Sequence, residues 1–228
     1  MTGLEIASVR VALDVVRDRI RLAGGDESVA ILPVTKGFGP EAIEAAVGAG
    51  CTSIGENYAQ ELIAKRDVLD RCDGSVEVHF IGQLQTNKVR QLADLVDVYE
   101  TVDRLRVADE IAKRAPGARV LIQVDTAAES GKGGCSIDGL DELAEYVVSI
   151  GLDLEGLMTV GPTSGGAESA RAGFRAVRAA VDRLGLRSCS MGMTGDLEVA
   201  VQEGSTQIRV GTALFGSRPV PAWRDQER

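Results

Sequence analysis

The chain has 228 residues, 44% of them apolar, which is ample for one packed core of the size that α/β barrels reach as a single domain. Its formal net charge of −9 argues against nucleic acid or an anionic membrane as a partner, since both ask for a basic face. No apolar run is long enough to span a bilayer.

The first segment places Val9, Leu13, Val16 and Ile20 at helical spacing and ends near Gly24-Gly25, an amphipathic opening helix. Glu5, Arg10, Asp14 and Arg17 lie among its apolar residues, so it does not read as a signal peptide. Short apolar runs then alternate with helical patterns. Strands are predicted at 29–36, 51–54, 76–81, 96–101, 119–125, 153–160, 187–191 and 206–211. Helices are predicted near 40–49, 56–70, 87–95, 103–114, 138–150, 165–184 and 194–203. This alternation implies a parallel sheet covered by helices. About eight units is the count of a closed (β/α)8 TIM barrel, here with an extra N-terminal helix. An open doubly wound sheet is the competing architecture, but no G-x-G-x-x-G follows the first strand. No linker or low-complexity segment appears, so residues 1–228 read as one domain. Pro33 removes a ladder hydrogen bond inside the first strand, and a local bulge is expected there. The tail 219–228 reads as frayed.

Four cysteines, Cys51, Cys72, Cys135 and Cys189, are widely spaced, and the chain has a single histidine, so no metal set is expected. They read as reduced thiols of a cytoplasmic protein.

In a barrel, function gathers at the C-terminal ends of the strands. The first strand ends in Lys36 and opens into Gly37-Phe38-Gly39-Pro40. Burial lowers the proton affinity of a lysine, and an amine so tuned condenses with an aldehyde. Strands seven and eight end in Ser190-Met191-Gly192-Met193 and Arg209-Val-Gly211-Thr212. Hydroxyls and glycine backbone N–H groups after these two strands, with a helix start, make a phosphate site. Arg209 shares strand parity with Gly211 and faces the same side. Strands one and eight are neighbours in a closed barrel, so Lys36, Arg209 and the phosphate turn share one small volume. An aldehyde with a phosphate and a ring nitrogen, pyridoxal 5'-phosphate (PLP), fits all three. A guanidinium facing the ring nitrogen leaves it unprotonated and makes the ring a weaker electron sink.

The segments Val34-Thr-Lys36, Gly55-Glu-Asn-Tyr58-Ala-Gln-Glu61, His79-Phe-Ile-Gly82, Leu84-Gln-Thr-Asn-Lys88, Gly156-Leu-Met158, Ser190-Met-Gly-Met193 and Gly204 through Gly216 run in order over nearly the whole chain. Together they resemble the pyridoxal phosphate homeostasis proteins, also called PROSC-like, which are barrels similar to the N-terminal domain of alanine racemase (fold-type III of PLP proteins). The resemblance implies that Lys36 carries PLP as an internal aldimine. It implies that Ser190, Gly211 and Thr212 hold the phosphate, that Arg209 lies near the pyridine nitrogen, and that Asn57 and Met191 line the ring pocket. Gln83 stands where the family has proline, and Gly-Phe-Gly-Pro follows Lys36 in place of Thr-Lys-Pro.

The resemblance implies a non-catalytic carrier that keeps free PLP low and passes it to PLP-dependent apo-enzymes, and the acidic surface with no second domain reads as a monomer. A PLP-dependent amino-acid racemase is the alternative. Racemisation needs two bases, one on each face of the Cα–H bond. In alanine racemase the second comes from an added β-domain, which this sequence does not show, and only Tyr58, Tyr99 and Tyr146 are available. His79 reads as a hydrogen-bonded core group. Asn87-Lys88 reads as a helix cap. Lys132, in Ser-Gly-Lys-Gly-Gly, is a candidate contact for a second PLP.

Overall fold

A computed structural model describes residues 5–127, 129 and 133–218. Lys132 and the tail 219–228 lie outside them. The elements follow the predicted order. They are α1 (Ile6–Leu22), β1 (Ala30–Pro33), α2 (Glu41–Gly48), β2 (Ser53–Glu56), α3 (Ala59–Ala64), α4 (Arg66–Arg71), β3 (Glu77–Phe80), α5 (Thr86–Leu92) and β4 (Val98–Val102). There follow α6 (Leu105–Arg114), β5 (Arg119–Gln123), α7 (Leu140–Ser149), β6 (Asp153–Met158), α8 (Arg171–Arg183), β7 (Ser188–Ser190), α9 (Leu197–Gln202), β8 (Gln207–Val210) and α10 (Thr212–Phe215).

All eight strands are parallel, in the order β1-β8-β7-β6-β5-β4-β3-β2. The ends of that ribbon meet in one bridge, Val34 to Gly55, reinforced by the Thr35 N–H donating to Gly55 O at 3.0 Å. The fold is a nearly closed (β/α)8 barrel.

Pro33 explains the narrow seam. Strand N–H groups alternate sides, and those of Ala30 and Val34 donate to β8. The nitrogen of Pro33 therefore faces β2 and has no proton to offer. The expected bulge is absent: β1 keeps continuous register with β8 from Ala30 opposite Gln207 to Pro33 opposite Val210.

Alternation divides the side chains into two layers. Outward residues pack under the helices in one large core, which includes Tyr99, Phe174, Ile54 and Ile122. The α1 stripe Val9, Leu13, Val16 and Ile20 is buried in that layer, and α1 packs on α2, α9 and α10, outside the first and last units. Inside the barrel the apolar content is small. Val98, Leu121 and Met158 cluster with Val160, and the remaining volume holds buried polar groups.

Two predicted details differ. The helix expected at 56–70 begins later and breaks at Lys65, whose ammonium turns into the protein. Asn87 and Lys88 lie within the first turn of α5, which starts after Gln85 without a side-chain cap.

Candidate functional site at the barrel mouth

Lys36 follows β1 by three residues and has inward parity with Leu32 and Val34. Its half-buried Nζ donates to Asn57 Oδ1 at 3.1 Å. Burial lowers the proton affinity of the amine, and the nearby Arg218 and Arg209 cations lower it further.

The backbone around Lys36 is held from outside the barrel. Gly37 N–H donates to Glu61 Oε2 at 2.7 Å. Lys65 Nζ donates to Thr35 O at 2.9 Å and pairs with Glu56 Oε1 at 2.6 Å. Thr35 Oγ1 donates to the same Glu56 oxygen at 2.5 Å. The side chains of Lys65 and Glu56 are 4% and 0% exposed. Thus the Gly55-Glu-Asn-Tyr-Ala-Gln-Glu61 segment supplies Asn57 to the amine and Glu56 and Glu61 to its neighbours. Gly82 completes the wall, because a Cβ there would lie 1.9 Å from Asn57 O.

Arg209 points inward, as parity predicts, and is buried. Its guanidinium donates to Ser190 Oγ at 2.8 Å and to Thr159 O at 2.6 Å. Ser190 Oγ in turn donates to Glu100 Oε2 at 2.6 Å. The Ser190 hydroxyl therefore serves the barrel interior, and its one proton goes to a carboxylate. Ser190 turns inward, so Met191 turns outward into the helix–sheet layer, its sulfur 3.6 Å from Cys189 Sγ.

The loops after β7 and β8 do converge. Gly192 has φ +94, and its carbonyl accepts from Arg209 N–H at 3.0 Å. Thr194 Oγ1 and Thr212 Oγ1 lie 3.4 Å apart. Arg19 of α1 steadies this loop, donating to Thr194 O at 2.9 Å while paired with Glu198. A Cβ on Gly211 would sit 3.0 Å from Val34 O, so strand one runs tight against the turn before α10.

The structure thus brings Lys36, Asn57, Arg209, Gly192, Gly211 and Thr212 to one end of the barrel. Sequence reasoning missed Thr194, Thr159, Gln207 and Glu100. Thr194 stands one residue beyond the Ser-Met-Gly-Met segment, in the loop already singled out. Glu100 sits in the apolar stretch 96–101, where nothing in the spacing marks it. The sole histidine, His79, is a hydrogen-bonded interior group, as expected, donating to Glu100 Oε1 at 2.6 Å.

Residues 11–219 match the family model described as the alanine racemase N-terminal domain. The pyridoxal phosphate homeostasis protein of Aquifex aeolicus is 39% identical over 209 residues, covering 87% of this chain and 91% of that protein. The same-named protein of Escherichia coli K12 is 38% identical over 222 residues, covering 89% and 94%.

The chain belongs to the pyridoxal phosphate homeostasis protein family.

A solved member-like structure, PipY of Synechococcus elongatus with PLP bound, superposes with a TM-score of 0.80 at 29% identity, over 91% of this chain and 100% of PipY. Alanine racemase from Streptomyces coelicolor shares the fold, with a TM-score of 0.72 at 21% identity, and the match spans 60% of that longer chain. Among the described residues, no helix is long and apolar enough to cross a membrane.

Proposed function

We propose that this chain binds PLP at the barrel mouth through Lys36 and acts in PLP homeostasis as a non-catalytic cytoplasmic carrier. The supporting observation is the convergence of three chemistries at one end of the barrel. These are an amine with lowered proton affinity, an inward arginine, and a pair of threonine hydroxyls beside a glycine turn.

The residues fit this cofactor. Gly192 has a positive φ, and Gly211 sits where a Cβ would press on the Val34 carbonyl, so side chains are kept out of the turns that would cradle a phosphate. Thr194 and Thr212 would hold the phosphate by their hydroxyls, Gly192 and Gly211 by their backbone. Ser190 would act through Arg209. Asn57 would keep the Lys36 nitrogen oriented. When bound, PLP supplies an aldehyde for the amine and an electron-withdrawing ring. Arg209 has no acceptor atom, so facing the ring nitrogen it would hold that nitrogen unprotonated and restrain the electron sink.

The tyrosines also support a carrier over a racemase. Tyr99 is sealed in the helix–sheet layer. Tyr146 donates to Asp109 on the outside. Tyr58 alone stands near the mouth, 49% exposed, preceding α3. The recipients on this reading are apo-enzymes that need PLP.

The test is the visible spectrum of the protein with and without added PLP, followed by borohydride reduction and peptide mapping. A visible band and a pyridoxyl label on Lys36 alone are expected, with no label in Lys36→Ala. Label scattered over surface lysines would overturn the proposal. Turnover of L-alanine to the D-isomer would replace the carrier by the racemase.

A further inference from the structure

A line of charged groups crosses the barrel interior from mouth to floor. Arg209 donates to Ser190 Oγ, which donates to Glu100 Oε2. Glu100 Oε1 accepts from His79 Nδ1 at 2.6 Å and from Gln207 Nε2 at 2.6 Å. His79 Nε2 lies 2.7 Å from Glu77 Oε1, and Glu77 pairs with Arg119 at the start of β5. The signs alternate: Arg209 plus, Glu100 minus, His79 plus, Glu77 minus, Arg119 plus. Two sets of contacts fit those signs. A carboxylate cannot donate, so the Ser190 proton goes to Glu100 and the Ser190 oxygen accepts from Arg209 and from Gln207. Both imidazole nitrogens of His79 face carboxylates, which is the arrangement of an imidazolium.

Glu100 and His79 are both buried. A lone charge at such a depth is costly, so each needs the next one in the line. The remaining charges near His79 are reached through these partners. Glu155 of β6 lies 3.8 Å from Arg119, Asp97 adds charge to Arg119, and Arg209 of β8 acts on Glu100.

We propose that Glu100 and His79 are positioning residues of an internal charge relay that, through Arg209, sets how readily the Lys36 nitrogen is protonated. This deepens the reading of Lys36 as the attachment point for PLP and rests on it. The relay works by compensation. Arg209 sits opposite Leu32 on the adjoining strand and, beyond burial, its cation and that of Arg218 lower the proton affinity of Lys36 while Glu56 and Glu61 raise it; Glu100 offsets Arg209, and His79 limits how far Glu100 does so. Removing the Glu100 charge exposes Lys36 to the full Arg209 field and disfavours its protonated form. Removing the His79 charge leaves Glu100 unopposed and favours it. The two substitutions therefore act in opposite directions. Mere loosening of the barrel would admit water and shift both variants the same way, toward an ordinary lysine.

The experiment is a pH titration of the visible absorption of the PLP-loaded protein, for the wild type, Glu100→Gln and His79→Gln. The midpoint should fall in Glu100→Gln and rise in His79→Gln. Each shift should be roughly one pH unit, the effect of one uncompensated charge a few side chains away at an effective dielectric of ~20. Equal midpoints, or shifts of the same sign, overturn the relay while leaving PLP binding in place. If the wild type takes up no PLP, the function reading fails instead. The relay is then judged on the unloaded protein, by competitive acetylation of Lys36 across pH, with the same opposite shifts required. A measurement on the wild type alone guards against variants that do not fold. His79 is the only histidine, so its imidazole NMR signals are unambiguous. They should still report the protonated ring at pH 8, and a midpoint below 7 would remove the cation the relay needs.

Discussion

Lys65 Nζ lies 2.6 Å from Glu56 Oε1 and 2.9 Å from the carbonyl of Thr35, so a buried ion pair on the outer face of the barrel holds the residue that precedes Lys36. Among the described residues, Glu56 Oε2 has no hydrogen-bond partner. Burial pushes the Glu56 carboxyl above its ordinary value of 4.5 even with Lys65 beside it.

Lys65→Met should therefore be strongly destabilising, by roughly 3–5 kcal/mol at neutral pH, because it strands a buried carboxylate. The sign of its pH dependence follows. Without Lys65 the folded-state proton affinity of Glu56 rises further above the unfolded one, so the defect shrinks as pH falls and Glu56 takes up a proton. Urea unfolding at pH 7.5 and pH 5 checks this. The double variant Glu56→Leu, Lys65→Met should recover much of the loss.

Gly82→Ala should damage the site from a distance. Its Cβ would meet Asn57 at O, C and Cα, at 1.9, 2.7 and 2.9 Å, all backbone atoms that must move together. We expect about 1–3 kcal/mol of destabilisation and weakened PLP retention as Asn57 leaves Lys36. Equilibrium unfolding and dialysis of the loaded protein measure the two effects.

Thr194→Val and Thr212→Val should separate phosphate recognition from ring recognition. A hydrogen bond to a charged group contributes about 1.5–3 kcal/mol, so each variant should lose roughly tenfold or more in PLP affinity. Affinity for pyridoxal, which lacks the phosphate, should stay nearly unchanged. Fluorescence titration with both ligands decides it. Ser190→Ala should behave differently and weaken both, since its hydroxyl supports Arg209.

The interior pair His79 and Glu77 should shape the pH profile of stability. Burial opposes the His79 charge, but hydrogen bonds from its ring to Glu100 and Glu77 outweigh it and raise His79 from 6.5 to about 9. Its contribution is full below 6.5 and is lost as pH rises through 9. Glu77 is lowered from 4.5 to about 2, chiefly by the His79 hydrogen bond. Its contribution is present above 4.5 and lost as pH falls toward 2. Stability should therefore peak between about 4.5 and 6.5 as far as this pair is concerned. His79→Gln should flatten the alkaline limb in melts taken at pH 6 and pH 9.

Part of this protein is readable along one dimension. Apolar runs alternating with helical patterns gave eight strands their place in the chain, and parity gave Arg209 its inward side, because neither needs knowledge of distant neighbours. Glycine after strands seven and eight marks a turn that backbone sterics require. The mouth of the barrel, and the residues at it, were legible for that reason. Other features depend on partners far apart in the chain. Glu100 meets Ser190 across 90 positions, and that contact turns the Ser190 hydroxyl into the barrel interior beside Arg209. Lys65 breaks a helix that local propensity would continue, since a buried carboxylate on β2 captures its ammonium. Pro33 was expected to bulge its strand, but the closed ring had a place, facing the seam with β2, where a missing N–H costs little. Strand order and facing come from local stereochemistry. Which buried charges meet is decided only when closure of the barrel brings β3, β4, β7 and β8 around one buried interior, where polar groups need partners.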